Sequence, residues 1–222
     1  MRLSDAAVVG HEALLRWDSP GGVMSAPADF IPVAEESALI VEIGAWTLMQ
    51  ACHESATGHG VDEGGPTVGV NLSRRQLAQP DLPGLVAECL RSSGLPARRL
   101  LLEVKESVLL AAPKSARDNL EKLRTIGVCL ALDDFGTGYS SLRNLPVAAV
   151  KIDRSFIGGL GHDAGDTAIV TAIISLAGAL GIDAIAEGVE DEAQAKLLRE
   201  LGCPLAQGYL FGVPGARITS GP

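Results

Sequence analysis

The stretch AVKIDRSFIGGLGHDAGDTAIVTAIISLAGALGIDAIAEG, residues 149–188, contains the repeating unit of this chain. Two short apolar runs at 149–153 and 183–188 predict β-strands, and the longer segment between them predicts a helix at 166–180. A strand, a helix and a second strand in this order are typical of a parallel pair joined by a crossover helix. The stretch therefore predicts an α/β fold with parallel strands.

The same alternation continues on both sides of this unit. The further predicted strands are 6–16, 67–72, 99–104, 127–134 and 204–212. The further predicted helices are 37–57, 81–93, 115–125 and 190–201. Seven strands result, whereas a closed (β/α)8 barrel needs eight, so either one strand is absent from this chain or one is undetected.

Composition places the chain among ordinary globular proteins. Of its 222 residues, 47% are hydrophobic and 20% are charged, which excludes a disordered or collagen-like chain. The length favours a single domain. The net charge of −9 disfavours binding to long nucleic acids, but carboxylates that hold cations can still bind a small phosphate ligand.

Cysteine spacing and hydropathy indicate the compartment. The cysteines, Cys52, Cys89, Cys129 and Cys203, lack the spacing of a zinc site, and we expect buried free thiols. The N-terminal residues lack the apolar core of a signal peptide, and no apolar run approaches the ~18 residues of a membrane span. We therefore expect a cytoplasmic protein. The histidines are scattered in the sequence and are expected to be structural or exposed.

Polar side chains recur near the carboxyl ends of the predicted strands, where a barrel has its active site. They are Glu12, Asn71, Glu103, Asp133, Asp134, Lys151 and Glu187. By strand alternation, Leu14 and Arg16 share the face of Glu12, Lys105 shares that of Glu103, and Asp153 shares that of Lys151. Each residue alone has an ordinary structural explanation, but such explanations would all have to coincide at the ends of successive strands.

The carboxylates and the amide oxygen are hard ligands, which suit Mg²⁺ or Mn²⁺ better than zinc. Carboxylates that point into one space repel each other unless cations lie among them. Asp133 and Asp134 are adjacent, so in a regular strand only one of them faces inward. We expect the glycines of the following FGTGYSS run to turn the chain at once and return the second carboxylate to the site.

The chain resembles the EAL domain family, bacterial phosphodiesterases that act on cyclic di-GMP. The motifs that carry the resemblance are EALLRW (12–17), FIPVAEES (30–37), VNLS (70–73), LLEVKES (101–107), LDDFGTGYSSL (132–142), VKIDRSF (150–156), IAEGVE (185–190) and QGYLFGVP (207–214). They stand in the family's order over nearly the whole chain. The resemblance implies a TIM-type barrel at residues 1–214, with 215–222 as a tail, and it implies that the first barrel strand is missing from this chain.

The resemblance also implies a site with two divalent cations, Mg²⁺ or Mn²⁺. The implied ligands are Glu12, Asn71, Glu103 and Asp133 for the first cation, and Asp133, Asp134 and Glu187 for the second. Lys151 would orient the attacking water and, surrounded by carboxylates, stay protonated; Gln207 would complete the water network. Arg16, Leu14 and Asp153 would contact substrate, and Glu106 would steady the loop after Asp134.

The implied activity is hydrolysis of cyclic di-GMP to linear pGpG by two-metal activation of water. The alternative is a catalytically silent cyclic di-GMP receptor or an interaction domain. The implied partners are cyclic di-GMP, a second copy of the chain, and an upstream sensor or GGDEF-type domain.

Three departures from the family pattern accompany the resemblance. The first strand is missing, which would leave open sheet edges, and the segment 140–150 is about three residues shorter than usual. Lys105 occupies a position usually held by Thr, where a cation would compete with a metal or contact a substrate phosphate. Val213 replaces a commonly basic residue.

Overall fold

A computed structural model describes residues 1–19, 23–62, 64–136 and 147–215. The strands are β1 (Gly10–Ala13), β2 (Trp17–Ser19), β3 (Val23–Ser25), β4 (Thr67–Asn71), β5 (Leu100–Lys105), β6 (Cys129–Phe135), β7 (Ala149–Ile152), β8 (Asp183–Ala186) and β9 (Leu205–Ala206). The helices are α1 (Pro27–Glu36), α2 (Ile40–His59), α3 (Arg74–Leu77), α4 (Leu82–Ser93), α5 (Glu106–Leu110), α6 (Lys114–Ile126), α7 (Arg154–Gly158), α8 (Ala164–Leu180) and α9 (Glu192–Glu200). Most of the shortened segment 140–150 and of the tail 215–222 lies outside the described residues.

The chain divides into two compact units, and strand β5 contributes to both. The first unit contains the described residues of 1–10, 103–110 and 130–216. Its strand order is β5-β6-β7-β8-β9, and the pairs β6–β7, β7–β8 and β8–β9 are parallel. Helix α8 packs on β7 and β8 through its buried face, which includes Val170, Ile173 and Ala177. This unit therefore has the predicted strand–helix–strand arrangement.

The N-terminal residues pair with β9 in the first unit. Arg2 forms an antiparallel bridge with Leu205, and the Leu3 amide donates to the Pro204 carbonyl over 3.0 Å. The strand predicted at 6–16 is wrong in its first part, because a turn with Ala6 at a φ of 56° separates this pairing from β1. Residues 1–3 therefore pair with the β9 edge of the sheet, although the missing first strand predicted open sheet edges.

The second unit contains residues 11–102 and 111–129. Its strand order is β1-β4-β5, and α2 packs against β4 and α4 with Leu48 and Cys52 fully buried. An antiparallel pair, β2 and β3, was not predicted; its register joins Trp17 to Ser25. His11 and His59 also meet here, with their Nε2 atoms 3.2 Å apart, so these two histidines are not scattered in the fold.

Two sequence predictions concern side-chain state and strand length. The cysteines are free as predicted, with Cys52, Cys89 and Cys203 buried and Cys129 half-buried. The strand predicted at 204–212 is wrong in length, because β9 ends at Ala206. Soon after it, Gly208 packs so closely on the Val189 backbone that a Cβ would lie 2.1 Å from the Val189 carbonyl oxygen.

Among the described helices, none combines the length and the hydropathy needed to cross a bilayer.

Candidate metal and active site

Lys151 on β7 is the centre of an ionic cluster in the first unit. Its Nζ lies 2.6 Å from Glu103 Oε2 and 2.6 Å from Glu187 Oε1, and its side chain is 2% exposed. Asp133 Oδ1 lies further away, at 4.0 Å. The sheet produces this arrangement because Glu103, Asp133 and Lys151 lie on the neighbouring strands β5, β6 and β7, while Glu187 directly follows β8.

The cluster has an excess of negative charge. Three carboxylates face one ammonium, and removing charges from water is costly unless each is paired. Glu103 and Glu187 each form a short ion pair with Lys151, whereas Asp133 does not. The arrangement therefore favours an additional cation near Asp133.

Asp133 carries the clearest sign of such a cation. Its Oδ1 is buried and has no hydrogen-bond donor among the residues that the structure describes. Burial raises the pKa of Asp133; Lys151 opposes this shift, and the adjacent Asp134 carboxylate adds to it. A buried carboxylate oxygen without a donor is costly, and a divalent cation removes that cost by direct coordination. The residues present thus fit the metal that the sequence predicts.

Asp134 joins Asp133 because the backbone of β6 is irregular. Pairing with β7 shifts register between Leu132 and Phe135, and Asp134 has a φ of 54°. Aspartate tolerates this left-handed conformation better than most residues do. Gly136, two residues further on, has a φ of 103°, which agrees with the predicted turn at the glycines, and the change of direction already begins at Asp134. Asp133, Asp134 and Glu187 each offer an oxygen, and these oxygens all lie within 4.8 Å of one another.

Lys105 pairs with Asp134. Its Nζ lies 2.6 Å from Asp134 Oδ2, and the side chains are 56% and 29% exposed. The hydrogen bond to Asp134 raises the pKa of Lys105, burial opposes the shift, and the charges of Asp134, Asp133 and Asp153 add to it. Sequence reasoning placed Lys105 beyond the strand, but β5 includes it. The sequence indicates that lysine is unusual at this position but does not identify Asp134, on the next strand, as its partner.

Glu106, at the start of α5, is 1% exposed and accepts a hydrogen bond from the Gly136 amide over 3.3 Å. Glu106 directly follows the end of β5 and begins the helix, so its side chain does not belong to a strand face. Gly136 lies two residues after Asp134 and directly precedes residues that the structure does not describe. The contact therefore fixes the backbone immediately after the acidic pair.

Asp153 and Gln207 also lie at strand ends in the first unit. Asp153 caps α7 by accepting from the Ser155 amide over 2.8 Å. Burial acts to raise the pKa of Asp153, but hydrogen bonds with Ser155 and Asp134 and the charge of Arg154 together hold that pKa below its usual value. The backbone amide of Gln207 donates to the Ala186 carbonyl over 2.8 Å, which holds Gln207 beside the end of β8.

The remaining predicted residues lie in the second unit. Asn71 Nδ2 donates to Glu12 Oε1 over 2.7 Å, so the structure brings these two predicted ligands together. Leu14 and Arg16 do not share a strand face with Glu12, because β1 ends at Ala13. Both are exposed, and Arg16 donates to the Leu15 carbonyl over 2.8 Å. The assignment of Glu12 and Asn71 to the first cation stays a prediction.

Parallel strands with acidic groups at their ends define a TIM-type α/β domain with a candidate metal site. The sequence matches the EAL domain family over residues 1–214, and the chain belongs to that family. The fold matches that of the PaMucR phosphodiesterase solved in complex with c-di-GMP, with a TM-score of 0.88 and 42% identity over 93% of this chain and 85% of that one. The predicted fold class is thus confirmed.

Two curated relatives extend the comparison. MucR of Pseudomonas aeruginosa, a bifunctional diguanylate cyclase/cyclic di-GMP phosphodiesterase, is 42% identical over 210 residues, which cover 93% of this chain and 31% of MucR. An uncharacterized signaling protein of Caulobacter vibrioides is 45% identical over 216 residues, covering 96% of this chain and 26% of that protein. This chain spans about a quarter to a third of the length of these relatives.

Proposed function

We propose that this chain is a metal-dependent phosphodiesterase that hydrolyses cyclic di-GMP to linear pGpG. Membership of the EAL domain family and the likeness to the MucR phosphodiesterase support this activity. The observation that carries it is the buried Asp133 Oδ1, which lacks a donor in the described part of the chain and lies in a three-carboxylate group. Such a group suits the chemistry of phosphoryl transfer, in which cations offset the charge of the phosphate.

Glu12, Asn71, Glu103 and Asp133 would hold the first divalent cation, Mg²⁺ or Mn²⁺, and Asp133 would share the second with Asp134 and Glu187. When bound, the cations would neutralise the phosphate and lower the pKa of a water molecule to near neutrality. The chain's own contribution is to hold the carboxylates in place before substrate arrives. Lys151 does this for Glu103 and Glu187 through two contacts of 2.6 Å.

Lys151 would act as a fixed positive charge that orients the attacking water. Its two short ion pairs restrain the Nζ, so little reorganisation is needed during the reaction. Water adds to phosphorus, the bond from phosphorus to the 3′-oxygen breaks, and a proton reaches that oxygen. The products are a 5′-phosphate and a 3′-hydroxyl, as in linear pGpG.

The other predicted residues would serve the substrate. Arg16, Leu14 and Asp153 would contact cyclic di-GMP, and Gln207 would complete the water network. Glu106 would support the acidic pair through its hydrogen bond from Gly136. A homodimer and a neighbouring sensor or GGDEF-type domain stay predictions.

The test is incubation of the purified chain with cyclic di-GMP and Mn²⁺, followed by chromatographic separation of the nucleotides. We expect linear pGpG, its loss with EDTA, and at least a hundredfold lower rate in Asp133→Asn. Lys196→Met is the matched control, because Lys196 pairs only loosely with Glu200, at 3.8 Å, and is exposed. Tight binding without product would instead support the receptor, and neither binding nor product would overturn both.

A further inference from the structure

Lys105 holds a carboxylate that the proposed site needs for its second cation. Its Nζ lies 2.6 Å from Asp134 Oδ2, and Asp134 is one of the three residues whose oxygens lie within 4.8 Å of one another. Asp133 and Asp153 also act on Lys105 electrostatically. The ammonium therefore lies within the field of several carboxylates that would otherwise attract a divalent cation.

An ammonium and a divalent cation interfere with each other at such a carboxylate. Both are positive, and their repulsion grows as the separation falls to a few ångströms. The lysine side chain is more than half exposed and flexible, so it can leave Asp134, but leaving forfeits the ion pair. Both outcomes weaken the binding of the divalent cation, because the cation either displaces Lys105 or binds beside a like charge.

We propose that Lys105 competes with the second divalent cation for Asp134 and thereby lowers the affinity of this chain for that cation. This inference rests on the proposed function, since it takes Asp134 as a ligand. Turnover would then require a higher concentration of divalent cation than it would at the same carboxylates without Lys105. Lys151 differs from Lys105: although it contacts Glu187, it is buried and is also held by Glu103, so it is not a mobile competitor for Asp134.

The experiment measures Mn²⁺ binding without substrate, from the electron paramagnetic resonance signal of free Mn²⁺ at physiological salt. The variants are Lys105→Met and Lys105→Thr, which remove the charge, and Lys105→Arg, which keeps it. Asp134→Asn marks the site concerned, and Lys196→Met on α9 controls for loss of a surface lysine charge. Circular dichroism spectra establish that each variant is folded.

We expect Met and Thr at position 105 to tighten the weaker Mn²⁺ site by roughly three- to tenfold, which is the scale of a partly exposed ion pair plus the removed repulsion. Arg should leave the affinity close to that of the wild type, as should Lys196→Met. Combining Lys105→Met with Asp134→Asn should abolish the gain. Unchanged affinity in Met and Thr, or an equal gain in Arg, overturns the proposal.

Failure of this inference is distinguishable from failure of the proposed function. If Mn²⁺ binds the wild type and pGpG forms, but binding ignores Lys105, only the competition is wrong. If Mn²⁺ binds neither the wild type nor any variant, the metal assignment itself is wrong and the competition falls with it. If the affinity rises in Met and Thr while no pGpG forms, the competition stands and the hydrolytic activity is wrong.

Discussion

Lys151 Nζ and Glu103 Oε2 form a 2.6 Å ion pair between side chains that are 2% and 3% exposed. The contribution of such a deeply buried pair to stability depends on its surroundings, because desolvation offsets much of the attraction between its members. Here the ammonium also holds Glu187. Lys151 therefore contributes to the stability of the fold, and this contribution can be measured separately from any part that Lys151 has in the reaction.

Substituting Lys151 with Met should destabilise the metal-free chain. The change leaves Glu103 and Glu187 buried or half-buried without their ammonium, and losing one partner of a buried pair costs about 3–5 kcal/mol. Urea denaturation with and without Mn²⁺ measures this cost. Added Mn²⁺ should restore part of the lost stability, while turnover stays lost. An unchanged urea midpoint would show that Lys151 does not hold the carboxylates.

Substituting Asp133 with Asn should separate metal binding from folding. Since burial already disfavours the charge on Asp133, a neutral side chain of the same shape should leave the metal-free chain at least as stable as the wild type. Mn²⁺ should raise the melting temperature of the wild type but not of the variant. A large loss of stability in metal-free Asp133→Asn would contradict an Asp133 Oδ1 that has no hydrogen-bond donor among the described residues.

Substituting Asp134 should expose the strain of its backbone. With a φ of 54°, Asp134→Ala should be less stable than Asp134→Asn by about 1–2 kcal/mol, because Asn tolerates the left-handed conformation and Ala does not. Both variants lack the negative charge, so the difference between their urea midpoints reports the backbone effect together with the acceptor for Lys105 that only Asn keeps. Equal midpoints would mean that the strand relaxes to a regular conformation.

Substituting Glu106 should test the support behind the acidic pair. Glu106→Gln keeps an acceptor for the Gly136 amide, whereas Glu106→Ala removes it. An unmatched polar group of this kind costs about 1–3 kcal/mol, so Ala should be clearly less stable and Gln close to the wild type. Urea denaturation gives the stability, and pGpG formation should follow the same order. The reverse order would exclude this supporting role.

Alkaline pH should weaken the fold through Cys52. Burial raises the pKa of this thiol to about 12, with the neighbouring Cys89 adding to the shift. In the unfolded chain the thiol ionises from about pH 8.5, so stability is fully present below that pH and is lost as pH rises toward 12.

The measurement for Cys52 is the free energy of unfolding between pH 7 and pH 11. The wild type should lose about 1.4 kcal/mol more per pH unit above pH 9 than Cys52→Ala, in which the group is absent. The Ala variant corrects for lysines and tyrosines that titrate in the same range. Parallel curves for the two proteins would show that Cys52 ionises in the folded state.

The long periodic segments could be predicted from sequence, and the short ones could not. The helix predicted at 166–180 agrees closely with Ala164–Leu180, because its apolar residues cover the sheet. The four-residue α3 and the five-residue α7 depend instead on the caps at Ser73 and Asp153, which stabilise too little chain to leave a periodic pattern. The β2–β3 pair flanks Pro20-Gly21-Gly22, a turn signal, but each strand has three residues, too few to show strand alternation.

The site could be predicted as far as strand alternation determines it. Alternation and strand ends indicated Glu103, Lys151 and Glu187, and the structure places all three in contact. Strand alternation could not indicate how the carboxylates of Asp133 and Asp134 come to lie close together, because the register shift in β6 depends on backbone dihedrals that no residue pattern specifies. The partner of Lys105 was hidden for a similar reason, since it lies on another strand.

The left-handed backbone of Asp134 also bears on how such domains diverge. Asparagine fits that conformation and differs from aspartate by one base in the codon, so a single mutation can remove the carboxylate and leave the chain folded. Under the proposed function, a lineage would thereby lose the second cation while retaining the surface around it. Descendants that bind a ligand without cleaving it would be within one step of a hydrolytic ancestor, and one step from regaining its chemistry.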